Sequence, residues 1–146
     1  MGGRAPAIRP MAIEDLDAVL DLWRASEGVG LGDGDAPPAL GRYLERNPGM
    51  SLVATVEGAI VGAVLCGHDG RRGYLNHLAV ATAYRGRGLG RMLVDACMDG
   101  LRDQGIAKCT IVVYGDNDAA EAFWTRIGWA ERGDLRVMQR RIDPTG

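Results

Sequence analysis

Three glycines and two arginines fall within six consecutive residues, Arg85-Gly86-Arg87-Gly88-Leu89-Gly90. These residue types suit a phosphate. Glycine lets an anion reach backbone N–H groups with no side chain in the way, and arginine offers a forked donor that matches phosphate oxygens. From Leu89 onward, Leu89, Leu93, Val94, Cys97 and Leu101 recur at helical spacing. The glycines therefore open a helix whose first N–H groups lack partners and carry about half a positive charge. A plain glycine turn with solvated arginines is the alternative. Neither G-x-x-x-x-G-K-[ST] nor the dinucleotide spacing G-x-G-x-x-G is present, which removes the nucleotide-hydrolase and dinucleotide readings. The three cysteines, Cys66, Cys97 and Cys109, form no Cys-x-x-Cys pair and have only His68 and His77 as company, so no metal site is expected.

The elements that must position this loop follow from periodicity. Residues 5–9 suit a short first strand, and Leu16, Val19, Leu20 and Trp23 line one face of an amphipathic helix over roughly 12–26. Glu27 to Pro38 holds four glycines, two prolines and three acids, too many breakers for a regular element, and is expected to be a mobile acidic loop. A second helix ends near Arg46, where Asn47-Pro48-Gly49 stops it. Ser51–Val56 and Ala59–Gly67 read as strands joined by a tight Glu57-Gly58 turn, and Gly73–Ala81 as a third strand, which makes an antiparallel meander. After the glycine loop and its helix, which ends near Gln104-Gly105, come a buried-type strand over Lys108–Tyr114 and a helix over Asp118–Ile127. One or two final strands follow from Trp129 onward, including Val137–Ile142. The expectation is one α/β domain over residues 1–146, with a mixed sheet of six to seven strands and helices on both faces.

Composition narrows the functions. A 146-residue chain fits one domain, and 47% hydrophobic with 25% charged residues matches a globular protein. No apolar run approaches the ~20 residues of a membrane-spanning helix, so no membrane partner is expected. A net charge of −2 lacks the basic excess that draws nucleic acid, which is likewise not expected as a partner. Each cysteine lies in an apolar segment, the setting of a small buried hydrophobe in a reducing compartment, and MGGRAPAIRP lacks a secretory h-region. A cytoplasmic location is expected.

Two blocks carry a family resemblance. The run LAVATAYRGRGLGRMLV resembles motif A of the GNAT superfamily of acyl-CoA-dependent N-acetyltransferases, with Arg85, Gly88 and Gly90 at its signature positions. The run NDAAEAFWTRIGW resembles that family's downstream motif through Asn117, Ala120, Phe123, Trp124, Gly128 and Trp129. The order of elements matches as well, nearest to bacterial members related to ribosomal-protein alanine acetyltransferases. The resemblance implies a GNAT fold and transfer of an acetyl group from acetyl-CoA, a co-substrate, directly to a primary amine on a small molecule or peptide. It implies that Leu78, Ala79 and Val80 pair their backbones with the pantetheine arm. Arg85, Gly86, Arg87, Gly88, Leu89 and Gly90 would hold the pyrophosphate, and Asn117 would complete the cofactor site. The strands flanking the slot would splay, and the Val80 N–H would polarise the thioester carbonyl. Dimers are common among such relatives.

The departures matter for the chemistry. Relatives place an acidic tyrosine where this chain has Trp124, and the alanine acetyltransferases a glutamate base where it has Val112. An alkyl ammonium with a pKa near ~10.4 is about one part in a thousand neutral at pH 7, so a base or water chain must take its proton. Tyr74, Asn76 and Tyr114 are the candidates for this catalytic relay, with His77 added if its face opens to the slot. Two-residue alternation puts Tyr74, Asn76 and Leu78 on one face and Leu75, His77 and Ala79 on the other, so both sets cannot line one cleft. Each candidate has a structural alternative: a core histidine, a tyrosine closing a strand end, or a helix cap at Asp116 or Asn117. Trp124 either walls the acceptor slot or packs on the sheet. Glu27, Asp33 and Asp35 would attract a cationic amine or stay solvated, as would Arg71 and Arg72 for an anion. The alternative function is an acyl-CoA-binding sensor or interaction module with catalysis lost.

Overall fold

A computed structural model describes residues 5–142. The described chain divides after Tyr114 into two compact units. The first holds a five-stranded sheet in chain order: β1 (Ala7–Pro10), β2 (Leu52–Val56), β3 (Ala59–His68), β4 (Gly73–Val80) and β5 (Cys109–Thr110). β1 to β4 pair antiparallel and β4 with β5 parallel. The expected meander is present. At the β2–β3 turn Glu57 and Gly58 both take positive φ, 51° and 83°, the geometry that matches the twist of the strands they join.

Helices cover both faces. α1 (Leu16–Arg24) and α2 (Pro37–Arg46) lie on one side, where Val19, Leu20, Trp23 and Leu40 pack with Val53, Ala63, Leu65 and Ala79. α3 (Leu89–Asp103) lies on the other, its Leu93 and Leu101 so close to Gly62 and Gly73 that a Cβ at either glycine would press on them. Each fully buried Leu or Val in these stripes contributes roughly 1.5–3 kcal/mol relative to exposure. A charge at Leu93 or Trp23 would remove that contribution and bury an unpaired ion.

The first helix is shorter than its periodicity predicts. A 3-10 turn at Ile13–Asp15 precedes it, and the Asp15 carboxylate accepts from the Ala12 N–H at 2.8 Å while Arg9 grips it through both guanidinium nitrogens at 2.7 and 2.9 Å. The acidic loop also contains a 3-10 turn, Asp33–Asp35, where the Asp35 carboxylate accepts from the Gly32 N–H at 2.8 Å.

The second unit holds α4 (Asp118–Arg126). Trp124 sits edge-on to Phe123 at 5.2 Å and to Trp129 at 4.9 Å. The sheet has five strands, not six to seven: no strand is formed from Trp129 onward among the described residues. Val137-Met138 and Arg140-Arg141 are like pairs that break the period-two alternation of a half-buried strand.

Candidate active site

β4 and β5 pair at only two positions, Gly73 with Cys109 and Tyr74 with Thr110, supported by the Gly73 N–H donating to the Lys108 carbonyl at 2.8 Å. The expected strand over Lys108–Tyr114 therefore stops as a ladder at Thr110. Beyond that point β4 keeps β3 on one side and has no paired strand on the other among the described residues. Along Leu75–Val80 that edge of β4 is a gap in the ladder.

The register fixes which backbone groups face that gap. Ala81 donates its N–H to the Val61 carbonyl at 2.8 Å, and Gly62 lies opposite Val80. Antiparallel pairs alternate between bonded and unbonded. Val80 thus occupies an unbonded position whose N–H and carbonyl point away from β3, while Ala79, opposite Ala63, turns its backbone toward β3 and its side chain into the core. The Val80 carbonyl is taken by Arg85, whose Nε donates to it at 3.0 Å. Its N–H is left facing the gap.

The glycine loop begins at that arginine. Gly88 is the residue before α3 and holds φ +78°, with no side chain capping the helix. Gly86 holds φ +79°, and a Cβ at either position would meet nothing within 4 Å. The opening turn of α3 thus presents uncapped N–H groups beside a cradle that side chains would fill. This geometry fits a pyrophosphate. Leu89 is buried, so only its backbone is available to a ligand, and Arg87 lies over the Tyr84 ring at 5.3 Å.

On the α1–α2 side the expected alternation of β4 fails. Leu65 lies opposite Asn76 and Ala63 opposite Ala79, so β4 spends two residues, His77 and Leu78, against Val64 alone. Tyr74, Asn76 and Ala79 consequently share one face. His77 sits at the bulge with φ 56° and joins that side, its ring edge-on to Trp23 at 5.0 Å. Its Nε2 bonds the Asp35 carboxylate at 2.9 Å. Tyr74 and Asn76 are exposed on this face. Tyr114 comes to the same loop, since a Cβ at Gly30 would collide with its hydroxyl.

The acetyltransferase (GNAT) family model matches residues 16–129. The chain belongs to this family. An acetyltransferase of Pectobacterium atrosepticum is 33% identical over 135 residues, covering 92% of this chain and 94% of that one. Among solved structures, the PaiA N-acetyltransferase of Thermoplasma acidophilum in complex with coenzyme A superposes with TM-score 0.75 at 18% identity, covering 86% of this chain and 89% of that one. The ribosomal-protein-S18-alanine N-acetyltransferase of Escherichia coli superposes at 0.73 and 22% identity, with 88% and 79% covered. As a GNAT protein, the chain is an acetyltransferase that draws its acetyl group from acetyl-CoA.

Other positions of this GNAT protein resolve more simply. Asn117 caps α4, its Oδ1 accepting from the Ala120 N–H at 3.1 Å, and Asp116 does not cap it. Trp124 belongs to its aromatic cluster, and Val112 is exposed. Cys66 and Cys97 are buried, whereas Cys109 is only half-buried, contrary to the expectation for all three. The Cys66 contact and burial push the Cys97 thiol above its usual range, and burial pushes Cys109 up to about 12. Neither Cys97 nor Cys109 suits a nucleophile, and Cys66 is fully buried. Among the described residues no His, Cys, Asp or Glu cluster is arranged for a metal, and no helix is long and apolar enough to cross a membrane. The pairing of Asp35 with His77 was not legible in sequence. Nothing local links positions 42 residues apart.

Proposed function

We propose that this GNAT protein acetylates a primary amine that enters the gap beside β4 under the acidic loop. The observation that carries this reading is the Val80 backbone: its carbonyl is held by Arg85, its N–H faces the gap, and the phosphate cradle starts five residues later. A thioester carbonyl at that N–H would gain a preorganised donor, a contribution of about 3 kcal/mol in comparable oxyanion sites. Arg85, Gly86, Arg87, Gly88, Leu89 and Gly90 hold the pyrophosphate through backbone N–H groups and arginine charge. Leu78 and Val80 align the pantetheine arm, and Ala79 serves the core. Asn117 keeps its α4 cap, and the family motif assigns it a role toward the cofactor. Tyr74, Asn76 and Tyr114 line the acceptor side and order water there.

The family match runs through both units, which supports reading the chain as a single acetyltransferase domain. The acceptor class follows the acidic loop: Glu27 is exposed there, and a cationic amine is favoured over an anionic one. A small amine or a peptide N-terminus fits, and the E. coli structural relative is named for an alanine of ribosomal protein S18. Incubation with acetyl-CoA and an equimolar panel of amines, read by mass spectrometry, tests this. Acetylated cationic amines are expected. A panel left unmodified despite acetyl-CoA binding would contradict the reading.

A further inference from the structure

Two non-glycine residues among those described take positive φ, Glu57 and His77. Glu57 is explained by its hairpin turn. His77 is at the β4 bulge, where glycine is the usual occupant of a positive φ, and a side chain there costs about 1–2 kcal/mol that glycine would avoid. Strain of this kind persists where surrounding contacts dictate it, and it gathers at functional sites. Two contacts hold His77 there, the Asp35 carboxylate at 2.9 Å and the edge of Trp23, with 19% of the His77 side chain and 14% of Asp35 still exposed.

We propose that His77 takes the proton of the incoming ammonium and that Asp35 positions it. This rests on the acetyltransferase reading above. A carboxylate oxygen only accepts, so Nε2 carries the hydrogen and donates it to Asp35, which leaves the lone pair on Nδ1. Nδ1 has no bond among the described residues and is not one of the buried side-chain polar atoms left without a partner, which are Trp23 Nε1 and Tyr43 Oη. The imidazole lies on the side of β4 that Tyr74 and Asn76 share. Nδ1 removes one proton from the ammonium, and the free amine nitrogen bonds the acetyl carbon. The carbon–sulfur bond breaks with its electron pair going to sulfur, the second amine proton goes to that thiolate, and Nδ1 returns its proton to water. Asp35 supplies the charge that holds the imidazolium meanwhile, and because it sits on the acidic loop, that loop must be in place for proton transfer.

His77→Gly is the variant of choice, since glycine accepts φ 56° and leaves room for added imidazole. Wild type, His77→Gly and Asp35→Asn are assayed as thiol release from acetyl-CoA with phenethylamine, spermidine, lysine ethyl ester and a peptide starting with alanine. His77→Gly is expected to lose about 100-fold in kcat, to keep its acetyl-CoA affinity and to regain activity with imidazole. Asp35→Asn is expected to lose at least about tenfold in kcat with the KM for acetyl-CoA unchanged. Nitrogen-15 NMR reads the tautomer independently of turnover, with His68 the one other histidine. The hydrogen on Nε2 in the wild type, shifting toward Nδ1 in Asp35→Ala, supports the pair. A hydrogen on Nδ1 in the wild type, His77→Gly within threefold of wild-type kcat, or no response to imidazole overturns it. If the wild type itself acetylates no probe, the acetyltransferase reading fails, and the tautomer still decides the pair.

Discussion

Arg85 Nε donates to the carbonyl of Val80 at 3.0 Å, tying the first residue of the glycine loop to the last residue of β4. One bond thereby links the two halves of the donor site, the phosphate cradle and the backbone N–H that faces the gap.

That link predicts the behaviour of Arg85 variants. Arg85→Leu removes both a charge beside the phosphates and the hold on the strand end, and is expected to weaken acetyl-CoA binding by roughly tenfold or more, the scale of a hydrogen bond to a charged group. Its circular dichroism should match the wild type, because Arg85 is exposed and supports no core packing. Calorimetric titration of the two proteins checks it.

Glycine substitutions should split by backbone conformation. Gly88→Val places a side chain at φ +78° and fills the open cradle, so it is expected to lose about 1–2 kcal/mol of stability together with acetyl-CoA binding. Gly41→Ala, inside α2 with nothing within 4 Å of the new methyl group, is expected to gain about 0.5–1 kcal/mol and leave binding unchanged. Urea melts with parallel titrations distinguish the two.

The Asp15 cap predicts an acid-linked loss of stability. The Arg9 hydrogen bonds and the Ala12 N–H hold the Asp15 carboxyl below its ordinary value, so its stabilisation is complete above the unfolded value near ~3.9 and is lost as pH falls through the lower folded value. Asp15→Ala should cost about 1 kcal/mol at pH 7 and flatten that part of the pH profile. Urea midpoints between pH 2 and neutrality, with Asp15→Ala as reference, provide the check.

The thiols should be quiet in the folded protein. Cys66 and Cys97 are buried and Cys109 is pushed up to about 12, so alkylation at pH 8 is expected to be slow in the native state and to reach all three once guanidinium unfolds the chain. Mass spectrometry of timed iodoacetamide reactions reads this directly. Rapid native modification of Cys97 would contradict the packing described for α3.

Local patterns made much of this legible. The stripe Leu89, Leu93, Val94, Cys97 and Leu101 and the Glu57-Gly58 turn are determined by residues near one another in the chain, and both formed as expected. The glycine-arginine loop was legible for the same reason. The bulge at His77 was not, because it is a matter of register between β3 and β4: Tyr74, Asn76 and Ala79 share a face only because the strand holds one residue more than its partner there. In sequence Asp35 reads as a loop charge that attracts a cationic amine or stays solvated, because its partner is a strand residue that only tertiary packing brings within reach. The strand from Lys108 ended early for a similar reason: its apolar residues predict extension, but where a ladder stops depends on the neighbouring strand's path.

The most direct test of the donor site and its chemistry is calorimetric titration with acetyl-CoA, followed in the same cell by addition of a cationic amine and measurement of free thiol. Saturable binding that Gly88→Val abolishes, with thiol released only when the amine is present, is the predicted result. Absence of binding, or binding that Gly88→Val and Arg85→Leu both leave intact, would contradict the assignment of the glycine loop and Val80 to the acetyl donor.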